Sequence, residues 1–302
     1  MKALIITEKL GTDDSRCSTF IANEALAREH EVYECYSDKI SLLDGEIICS
    51  AEQFLAETEP NKSAQKFVIK QQFDVVFFRP NPPVDMAYLT TLYLLQLIEN
   101  DVLILNKPSS VIRFAEKILP HYFADFSPPT LISKNRAEIF DFVKKHNGAV
   151  AKPLYWYGGN GVKKISTTDE IDDLLAENKE PLVYQKFLPE IYEGDKRITF
   201  VNYRYVGTIN RVPPAGEFIA NLCHGGEAKA VELNEYQTTK ILPKVSEFLE
   251  KYDIPLCGID VIGNYVTEMN ITTPLIFPAL YKIHGTNEEK RLWDELEHRL
   301  SN

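Results

Sequence analysis

The chain has 302 residues, 44% of them hydrophobic and 25% charged, and its apolar runs are too short to cross a membrane, so we expect a globular cytoplasmic protein of two or three domains. The formal net charge of −11 argues against a general nucleic-acid surface, although it leaves room for local basic pockets that hold phosphates. Five scattered cysteines with no Cys-x-x-Cys pair argue against a disulfide framework or a zinc site.

The first third of the chain alternates strand-like and helix-like segments. Strand patterns at 2–7, 31–35, 74–78 and 102–105 alternate with helix patterns at 18–29 and 85–99. Because this alternation is typical of βαβ units, we expect an open, Rossmann-like parallel sheet. Its first strand, at 2–7, is too short for the core of a signal peptide.

A small compact unit is predicted next, at about residues 129–188. Its strands are expected at 130–133, 149–153, 162–165 and 182–187, and its helices at 136–146 and 168–178. Lys152 ends one strand and precedes the loop Tyr157-Gly158-Gly159-Asn160-Gly161. Glycines let a backbone approach phosphate closely and a lysine adds positive charge, so a phosphate loop is one interpretation. A plain hairpin turn is the alternative, because the Gly-Lys-Ser/Thr order of a Walker loop is missing.

The remainder is richer in strands, predicted at 197–201 and 205–211, and contains one helix at 235–252. Asp195-Lys196-Arg197 opens the first of these strands and Arg211 closes the second. Two guanidinium groups at such positions could hold a transferring phosphoryl group from both sides. Surface ion pairs are the alternative interpretation of each arginine.

A predicted hairpin near the C-terminus carries Asp260, Glu268 and Asn270. A two-residue turn at Gly263-Asn264 would send Asp260 and Glu268 to opposite faces of the sheet. A three-residue loop ending at Tyr265 would place them opposite each other, with Asn270 next on the same face. Facing carboxylates repel unless a cation lies between them, so this register predicts a magnesium site. A solvated acidic hairpin is the alternative.

Taken in chain order, these segments resemble those of the ATP-grasp ligases, and most closely those of the prokaryotic glutathione synthetases. The segments that carry the resemblance are Arg79-Pro80-Asn81-Pro82-Pro83-Val84-Asp85, Asn106-Lys107-Pro108, Lys117, Lys152 with the Gly158-Gly159 loop, residues 184–189, 194–197 and 211–213, and residues 258–274. The resemblance implies an α/β (α+β) chain with the ATP-grasp fold. It further implies an N-terminal Rossmann-like parallel-sheet domain at 1–119, a small lid domain at 120–188 and a C-terminal antiparallel-sheet domain at 189–302.

The resemblance also implies an ATP-dependent ligase that joins γ-glutamylcysteine to glycine through an acyl phosphate. Its partners would be two small-molecule substrates, a γ-glutamyl dipeptide and an amino acid. The resemblance leaves open whether the protein forms a homo-oligomer. The implied nucleotide-binding residues are Lys117, Lys152, Tyr157, Gly158, Gly159, Gln185, Lys186, Phe187, Leu188 and Asp195. By the same resemblance, Asp260, Glu268 and Asn270 hold Mg²⁺, with Mn²⁺ as an alternative, and Arg197 and Arg211 are the catalytic residues that stabilise the acyl phosphate.

Three segments depart from the family. Tyr155-Trp156-Tyr157 stands where an acid and small residues are expected, residues 211–217 replace a Pro-Gln-Gly-Gly segment, and residues 275–278 replace a charged acceptor stretch. They predict an altered lid and weaker use of glycine. Two alternatives therefore stay open: an ATP-grasp ligase for another peptide or amino-acid pair, and a nucleotide-binding protein without turnover. The complete set of metal-binding oxygens argues against the second.

Overall fold

In a computed structural model of the chain, residues 1–12, 16–56, 61–274 and 277–301 are described. The first part forms one mixed sheet, in the order β3-β4-β2-β1-β6-β7, with β5 paired to β4. Its strands are β1 Lys2–Ile6, β2 Glu31–Cys35, β3 Ile40–Leu43, β4 Glu46–Phe54, β5 Gln65–Val68, β6 Val75–Phe78 and β7 Leu103–Leu105. Its helices are α1 Arg16–Ala27, α2 Ile69–Gln72, α3 Met86–Gln96 and α4 Pro108–Arg113.

The predicted parallel sheet is present at the centre of this domain, where β2, β1, β6 and β7 are all parallel. The antiparallel strands β3, β4 and β5 were not predicted. Their signal is Asp44-Gly45 between two apolar runs, and both residues have positive φ, as a two-residue hairpin turn of the favoured type requires.

The central unit is an antiparallel sheet in the order β10-β9-β11-β8. Its elements are β8 Thr130–Ser133, α5 Arg136–His146, β9 Ala149–Pro153, β10 Lys163–Ile165, α6 Thr168–Glu177 and β11 Leu182–Lys186, which agree with the predicted segments to within a residue or so. Helix α6 begins with a capping box, in which Thr167 and Glu170 satisfy each other's backbone N–H groups. Tyr184 is fully buried between this sheet and its helices.

The third sheet is antiparallel, in the order β14-β13-β12-β15-β16. Its strands are β12 Asp195–Val201, β13 Arg204–Val212, β14 Glu227–Ala230, β15 Leu256–Ile262 and β16 Tyr265–Asn270. The predicted helix at 235–252 is a π-helical turn, Gln237–Ile241, followed by α7, Leu242–Lys251. One face of the sheet buries Phe200 and Met269 with Phe248 of α7. The other face is left for the antiparallel sheet of the central unit, β10-β9-β11-β8, which we call the lid sheet.

Two further helices, α8 Phe277–His284 and α9 Glu288–Ser301, were not predicted. Helix α9 returns to the first domain, where the buried Trp293 donates its indole N–H to the carbonyl of Ile21 at 2.9 Å. The domain boundaries at residues 119 and 188 stay a prediction. Helix α9 belongs to the predicted third domain in sequence but packs on the first domain. Within the described ranges, no helix combines the length and apolarity that a membrane span needs.

Candidate nucleotide and metal site

The hairpin of β15 and β16 places Asp260 directly opposite Glu268. Its turn has two residues, Gly263-Asn264, so the expected three-residue loop ending at Tyr265 is wrong. Instead, Thr267 is an extra residue in β16, a β-bulge that shifts the register of the hairpin. The bulge brings Glu268 onto the face that holds Asp260, which a regular two-residue hairpin would not do. The prediction that the two carboxylates face each other is confirmed, although a β-bulge and not a three-residue loop brings them together.

A row of charged side chains crosses one face of the third sheet. The strand register places Arg211 opposite Asp195, Arg197 opposite Asp260, and Asp260 opposite Glu268. Asp195 and Arg197 belong to the same row because alternate residues of a strand share a face. Four neighbouring strands therefore contribute to one line of acids and bases.

Asp260 is buried at the middle of this row, with a side chain that is 6% exposed. Arg197 donates from Nε to Oδ1 at 2.5 Å and from Nη2 to Oδ2 at 3.2 Å, and Nη2 of Arg211 lies 3.0 Å from Oδ1. Burial alone would raise the pKa of Asp260, but the two arginines outweigh it and lower the pKa below its ordinary value. Asp260 is therefore ionised, and both of its oxygens face arginine.

Asp195 shares Arg211 with Asp260, since Nη2 of Arg211 also donates to Oδ2 of Asp195. Burial raises the pKa of Asp195 to about 6, Arg211 opposes this rise, and the charge of Asp260 adds to it. Oδ1 of Asp195 and Nε of Arg211 are buried with no hydrogen-bond partner in the described part of the chain. Such orphan groups retain the capacity to bind a ligand or water.

Two lysines face the row from outside the sheet. Nζ of Lys117 lies 3.1 Å from Oε1 of Glu268 and also donates to the carbonyl of Trp156. Nζ of Lys152, on β9, donates to Oε1 of Gln185 at 2.7 Å. Burial lowers the pKa of Lys152, and Glu268 gives the largest opposing effect. The lid sheet thus directs a basic side chain at the acidic hairpin.

The space between the lid sheet and the third sheet is a cavity lined by both apolar and charged side chains. The apolar ones are Val150, Phe187, Leu188, Ile191, Phe218 and Ile262. The charged ones include Lys117, Lys152 and the two facing carboxylates. Such a lining suits a planar ring that carries a polyphosphate.

The glycine loop closes one side of this cavity. Gly159 has a φ of +82°, and a Cβ there would lie 2.8 Å from Oδ1 of Asn221 and 2.9 Å from Cγ2 of Ile219. The thiol of Cys223 donates to the carbonyl of Gly158 at 3.4 Å. The loop is therefore packed against residues 218–224, and glycine is required for that close approach.

The structure gathers most of the predicted site residues around this one cavity. It is lined by Lys117, Lys152, Tyr157, Gly158, Gly159, Gln185, Lys186, Phe187, Leu188, Asp195, Asp260 and Glu268. Arg197 and Arg211 adjoin it through Asp260. Asn270 does not line it, and its Nδ2 donates to the carbonyl of Gly258 at 3.2 Å. The roles assigned to these residues stay predictions.

Glu116 is a site residue that the sequence reasoning missed. Its Oε1 accepts from the backbone of Ile271 at 2.7 Å and from the backbone and hydroxyl of Thr272 at 2.9 and 2.8 Å. Burial raises its pKa, and the charge of Glu268 adds to the rise. These hydrogen bonds hold residues 271 and 272 in place just beyond β16, next to the candidate metal-binding residues. Its position beside Lys117 was the only signal in the sequence.

The oxygen donors of the hairpin fit a hard divalent cation. Asp260 and Glu268 offer carboxylates and Asn270 an amide oxygen, which suits Mg²⁺ because this ion takes one or two protein carboxylates and completes its shell with phosphate and water. Across the described ranges, no group of three or more His, Cys, Asp or Glu side chains is placed to enclose a metal. A cation here would complete its shell with phosphate oxygens and water.

Comparison with known proteins adds a family match over nearly the whole chain. Residues 1–112 match the model of the prokaryotic glutathione synthetase N-terminal domain, and residues 116–285 match the model of its ATP-grasp domain. A glutathione synthetase of Rhodopseudomonas palustris is 34% identical over 290 residues, which cover 93% of this chain and 92% of the relative. One from Agrobacterium fabrum is 35% identical over 290 residues, covering 93% and 91%.

Solved structures show the same fold at low sequence identity. The D-cycloserine synthetase DcsG matches with a TM-score of 0.69 at 15% identity, over 99% of both chains. The macrocyclase MdnC of Microcystis aeruginosa, bound to its precursor peptide, matches with a TM-score of 0.67 at 17% identity, over 99% of this chain and 100% of the other. The ATP-grasp ligase PsnB, solved with Mg and ADP, matches with a TM-score of 0.64 at 14% identity, over 100% and 98%. The chain accordingly adopts the ATP-grasp fold.

Proposed function

Because this chain belongs to the prokaryotic glutathione synthetase family of ATP-grasp ligases, we propose that it joins γ-glutamylcysteine to glycine using ATP. The observation that carries the proposal is the row Arg211, Asp195, Arg197, Asp260 and Glu268, which faces two lysines of the same cavity. A site built from acids and bases on rigid strands can position phosphates and neutralise their charge, which is most of what phosphoryl transfer requires.

Lys117 and Lys152 are proposed to bind the nucleotide phosphates, while residues 185–188 lie beside the adenine ring. This assignment matches the side chains that line the cavity, since lysines suit phosphates and the apolar Phe187 and Leu188 suit a planar ring. The basic groups of Lys117, Lys152, Arg197 and Arg211 meet the carboxylates of Asp195, Asp260 and Glu268 here. The lysine and arginine charges favour the binding of a polyphosphate.

Asp260, Glu268 and Asn270 are proposed to hold Mg²⁺, and Mn²⁺, which also accepts oxygen ligands, stays an alternative. When bound, the ion would neutralise phosphate charge. In the structure, Asp260 is paired with two arginines and Glu268 with Lys117. If these carboxylates bind a cation, the same basic groups become available for phosphate oxygens. We therefore expect the metal and the nucleotide to bind together.

The proposed reaction has two steps. A carboxylate oxygen of the dipeptide attacks the γ-phosphorus of ATP, the bond to the ADP oxygen breaks, and an acyl phosphate forms. The amine of glycine then attacks the acyl carbon, loses a proton, and expels phosphate as the amide forms. Arg197 and Arg211 are proposed to stabilise the negative charge of the transferring group, and Nε of Arg211, which has no hydrogen-bond partner among the described residues, is a donor that can serve this role.

The aromatic segment Tyr155-Trp156-Tyr157 is proposed to shield the acyl phosphate from water. The carbonyl of Tyr155 accepts from the backbone of Val84 at 3.1 Å, and the carbonyl of Trp156 accepts from Lys117. The segment is therefore attached both to the first domain and to a proposed phosphate ligand. Exclusion of water matters because an acyl phosphate hydrolyses readily.

The test is phosphate release from Mg-ATP with γ-glutamyl dipeptides crossed with candidate amines, together with the mass of each product. Release that requires both γ-glutamylcysteine and glycine, with formation of the tripeptide, supports the proposal. Turnover only with another pair would identify a different ligase of the same fold. ATP binding without any amine-dependent release would favour the protein without turnover. A cytoplasmic location and a homo-oligomer stay predictions.

A further inference from the structure

Trp156 lines a second cavity besides the one proposed for the nucleotide. The second cavity lies between helix α3, residues 111–122 and residues 154–156, and it has a volume of about 250 Å³. Val84, which also lines it, donates its backbone N–H to the carbonyl of Tyr155 at 3.1 Å, so two of its walls are joined there. Sites for drug-sized ligands usually measure about 300–1,000 Å³, so this cavity has room for a single ring with a short chain.

Aromatic side chains surround this second cavity. They are Tyr93 of α3, Phe114, Tyr122, Tyr155 and Trp156. All but Phe114 are exposed, and Tyr122 and Trp156 are 54% and 53% exposed. Large apolar side chains that gather around a cavity and stay in contact with water mark a binding site. Tyr155 and Trp156 stand where the family has an acid and small residues, so this wall is a feature of the present chain.

The wall formed by Phe114 is held in a fixed position. The ring of Phe114 packs edge-to-face against the rings of Tyr122 and Tyr252, with centroids 5.3 and 4.8 Å apart. The guanidinium of Arg113, which also lines the cavity, lies 5.2 Å from the ring centroid of Phe114 and 4.9 Å from that of Tyr252. The charge of Arg113 is therefore engaged with two aromatic rings. This side of the cavity is formed before any ligand arrives, which lowers the cost of binding.

Glu116 and Thr272 give the cavity a polar side with a negative charge. The hydrogen bonds from Ile271 and Thr272 all go to Oε1 of Glu116, and among the described residues none donates to its Oε2. Nor does any basic side chain in the described ranges form an ion pair with this carboxylate, since the neighbouring Lys117 pairs with Glu268. A carboxylate beside several aromatic rings attracts an organic cation, because the ring faces also carry negative potential.

We propose that this cavity binds a small aromatic amine, with its ring among the side chains of Tyr93, Tyr155 and Trp156 and its ammonium group on Oε2 of Glu116. The site is separate from the nucleotide cavity and does not depend on which substrates the ligase joins. Its occupant would nevertheless touch the reaction centre's supports. Glu116 holds residues 271 and 272 beside the candidate metal-binding residues, and the carbonyl of Trp156 accepts from Lys117.

Two probes of the same shape and opposite charge test the proposal on the full chain by calorimetric titration. Phenethylamine should bind once per chain with a Kd on the order of 1 mM. The anionic 3-phenylpropionate, which has the same ring and chain length, should bind at least about 10-fold more weakly. The titrations are repeated with Mg²⁺ and a saturating non-hydrolysable ATP analogue, which fills the nucleotide cavity. Phenethylamine should still bind, whereas its complete displacement would place it in the nucleotide cavity and overturn the inference.

Two variants locate the probe. Glu116→Gln keeps an oxygen that accepts from Ile271 and Thr272 but loses the charge, so phenethylamine should bind at least about 10-fold more weakly. Tyr93→Ala removes an exposed ring of the wall and should weaken phenethylamine about 3- to 10-fold without changing amine-dependent phosphate release. Tyr281→Ala, at an exposed tyrosine of α8 outside the cavity lining, is the matched control and should change neither.

Tryptophan fluorescence gives an independent readout of the position. The chain has two tryptophans, and Trp293 is fully buried, so quenching by acrylamide reports mainly on Trp156. With the ATP analogue bound, phenethylamine should protect Trp156 from acrylamide and 3-phenylpropionate at the same concentration should not. Equal affinity for the two probes, or wild-type affinity for phenethylamine in both Glu116→Gln and Tyr93→Ala, would overturn the inference. If Glu116→Gln does not fold, Tyr93→Ala alone decides.

Discussion

Nζ of Lys117 lies 3.1 Å from Oε1 of Glu268, so a proposed phosphate ligand is paired with a proposed metal ligand. Lys117 is buried and Glu268 is only partly exposed, with side chains that are 7% and 20% exposed. In this ion pair each charge neutralises the other. Binding of a cation to Glu268 and of a phosphate to Lys117 would replace the ion pair by two new contacts, so metal binding and nucleotide binding are expected to be coupled.

Glu268→Gln tests the metal half of this relationship. We expect the fold to be retained, because the amide can still accept from Lys117, while turnover falls on the order of 100-fold through loss of one metal-binding charge. The measurement is amine-dependent phosphate release at saturating substrates, with thermal unfolding as the check on folding. Glu180→Gln, at an exposed glutamate outside the cavity lining, is the matched control. Near-normal turnover of Glu268→Gln would show that Glu268 is not a metal ligand.

Arg211 is expected to have both a structural and a catalytic role. Arg211→Ala leaves Asp195 and Asp260 with one fewer counter-ion in a buried site, so urea unfolding should show a loss of about 3–5 kcal/mol. Arg211→Lys keeps the charge and loses the planar guanidinium, so it should fold and lower kcat more than it raises KM for ATP. An effect of Arg211→Lys confined to ATP affinity would assign Arg211 to ground-state binding.

Asp195 gives a prediction about pH. Its pKa is about 6 in the folded protein and 3.8 ordinarily, so the native state holds this proton more tightly than the unfolded chain. That contribution to stability is complete below the unfolded value and disappears as pH rises through the folded value. Between about pH 5 and about pH 7, the wild type should lose about 1 kcal/mol relative to Asp195→Asn. Chemical unfolding at both pH values measures this difference, and Asp141→Asn, at an exposed aspartate, should show none of it.

The glycine loop provides a prediction with a matched control at the same backbone angle. Gly159 and Gly216 have φ values of +82° and +86°, but a Cβ on Gly159 would contact Asn221 and Ile219 whereas one on Gly216 would meet nothing within 4 Å. Alanine at either position carries the same left-handed strain of about 1–2 kcal/mol. Only Gly159→Ala should also displace the loop and raise KM for ATP. Equal KM values for ATP in the two variants would show that the glycine loop does not take part in nucleotide binding.

Much of the fold was predictable because its signals are local. Alternating apolar runs and helical periodicity identified β1, β2, β6 and β7 and nearly every element of the lid, including α6. The hairpin at β3 and β4 was missed although its Asp44-Gly45 turn is an equally local signal. Helices α8 and α9 follow residues 275 and 276, which lie outside the described residues and were expected to form part of the altered acceptor stretch. No motif pointed to α9, since its position depends on burying Trp293 against α1, far away in the chain.

The sequence by itself determined which residue types could perform the chemistry: carboxylates at 260 and 268, arginines at 197 and 211, and lysines at 117 and 152. Only the tertiary structure decided how they meet. Strand register aligned the acids and arginines into one row, and the Thr267 bulge turned Glu268 onto its face. Packing of the lid sheet brought Lys152 against this row, and the segment after α4 brought Lys117. Pairing across strands and between domains joins residues far apart in the chain, and no local pattern encodes those distances.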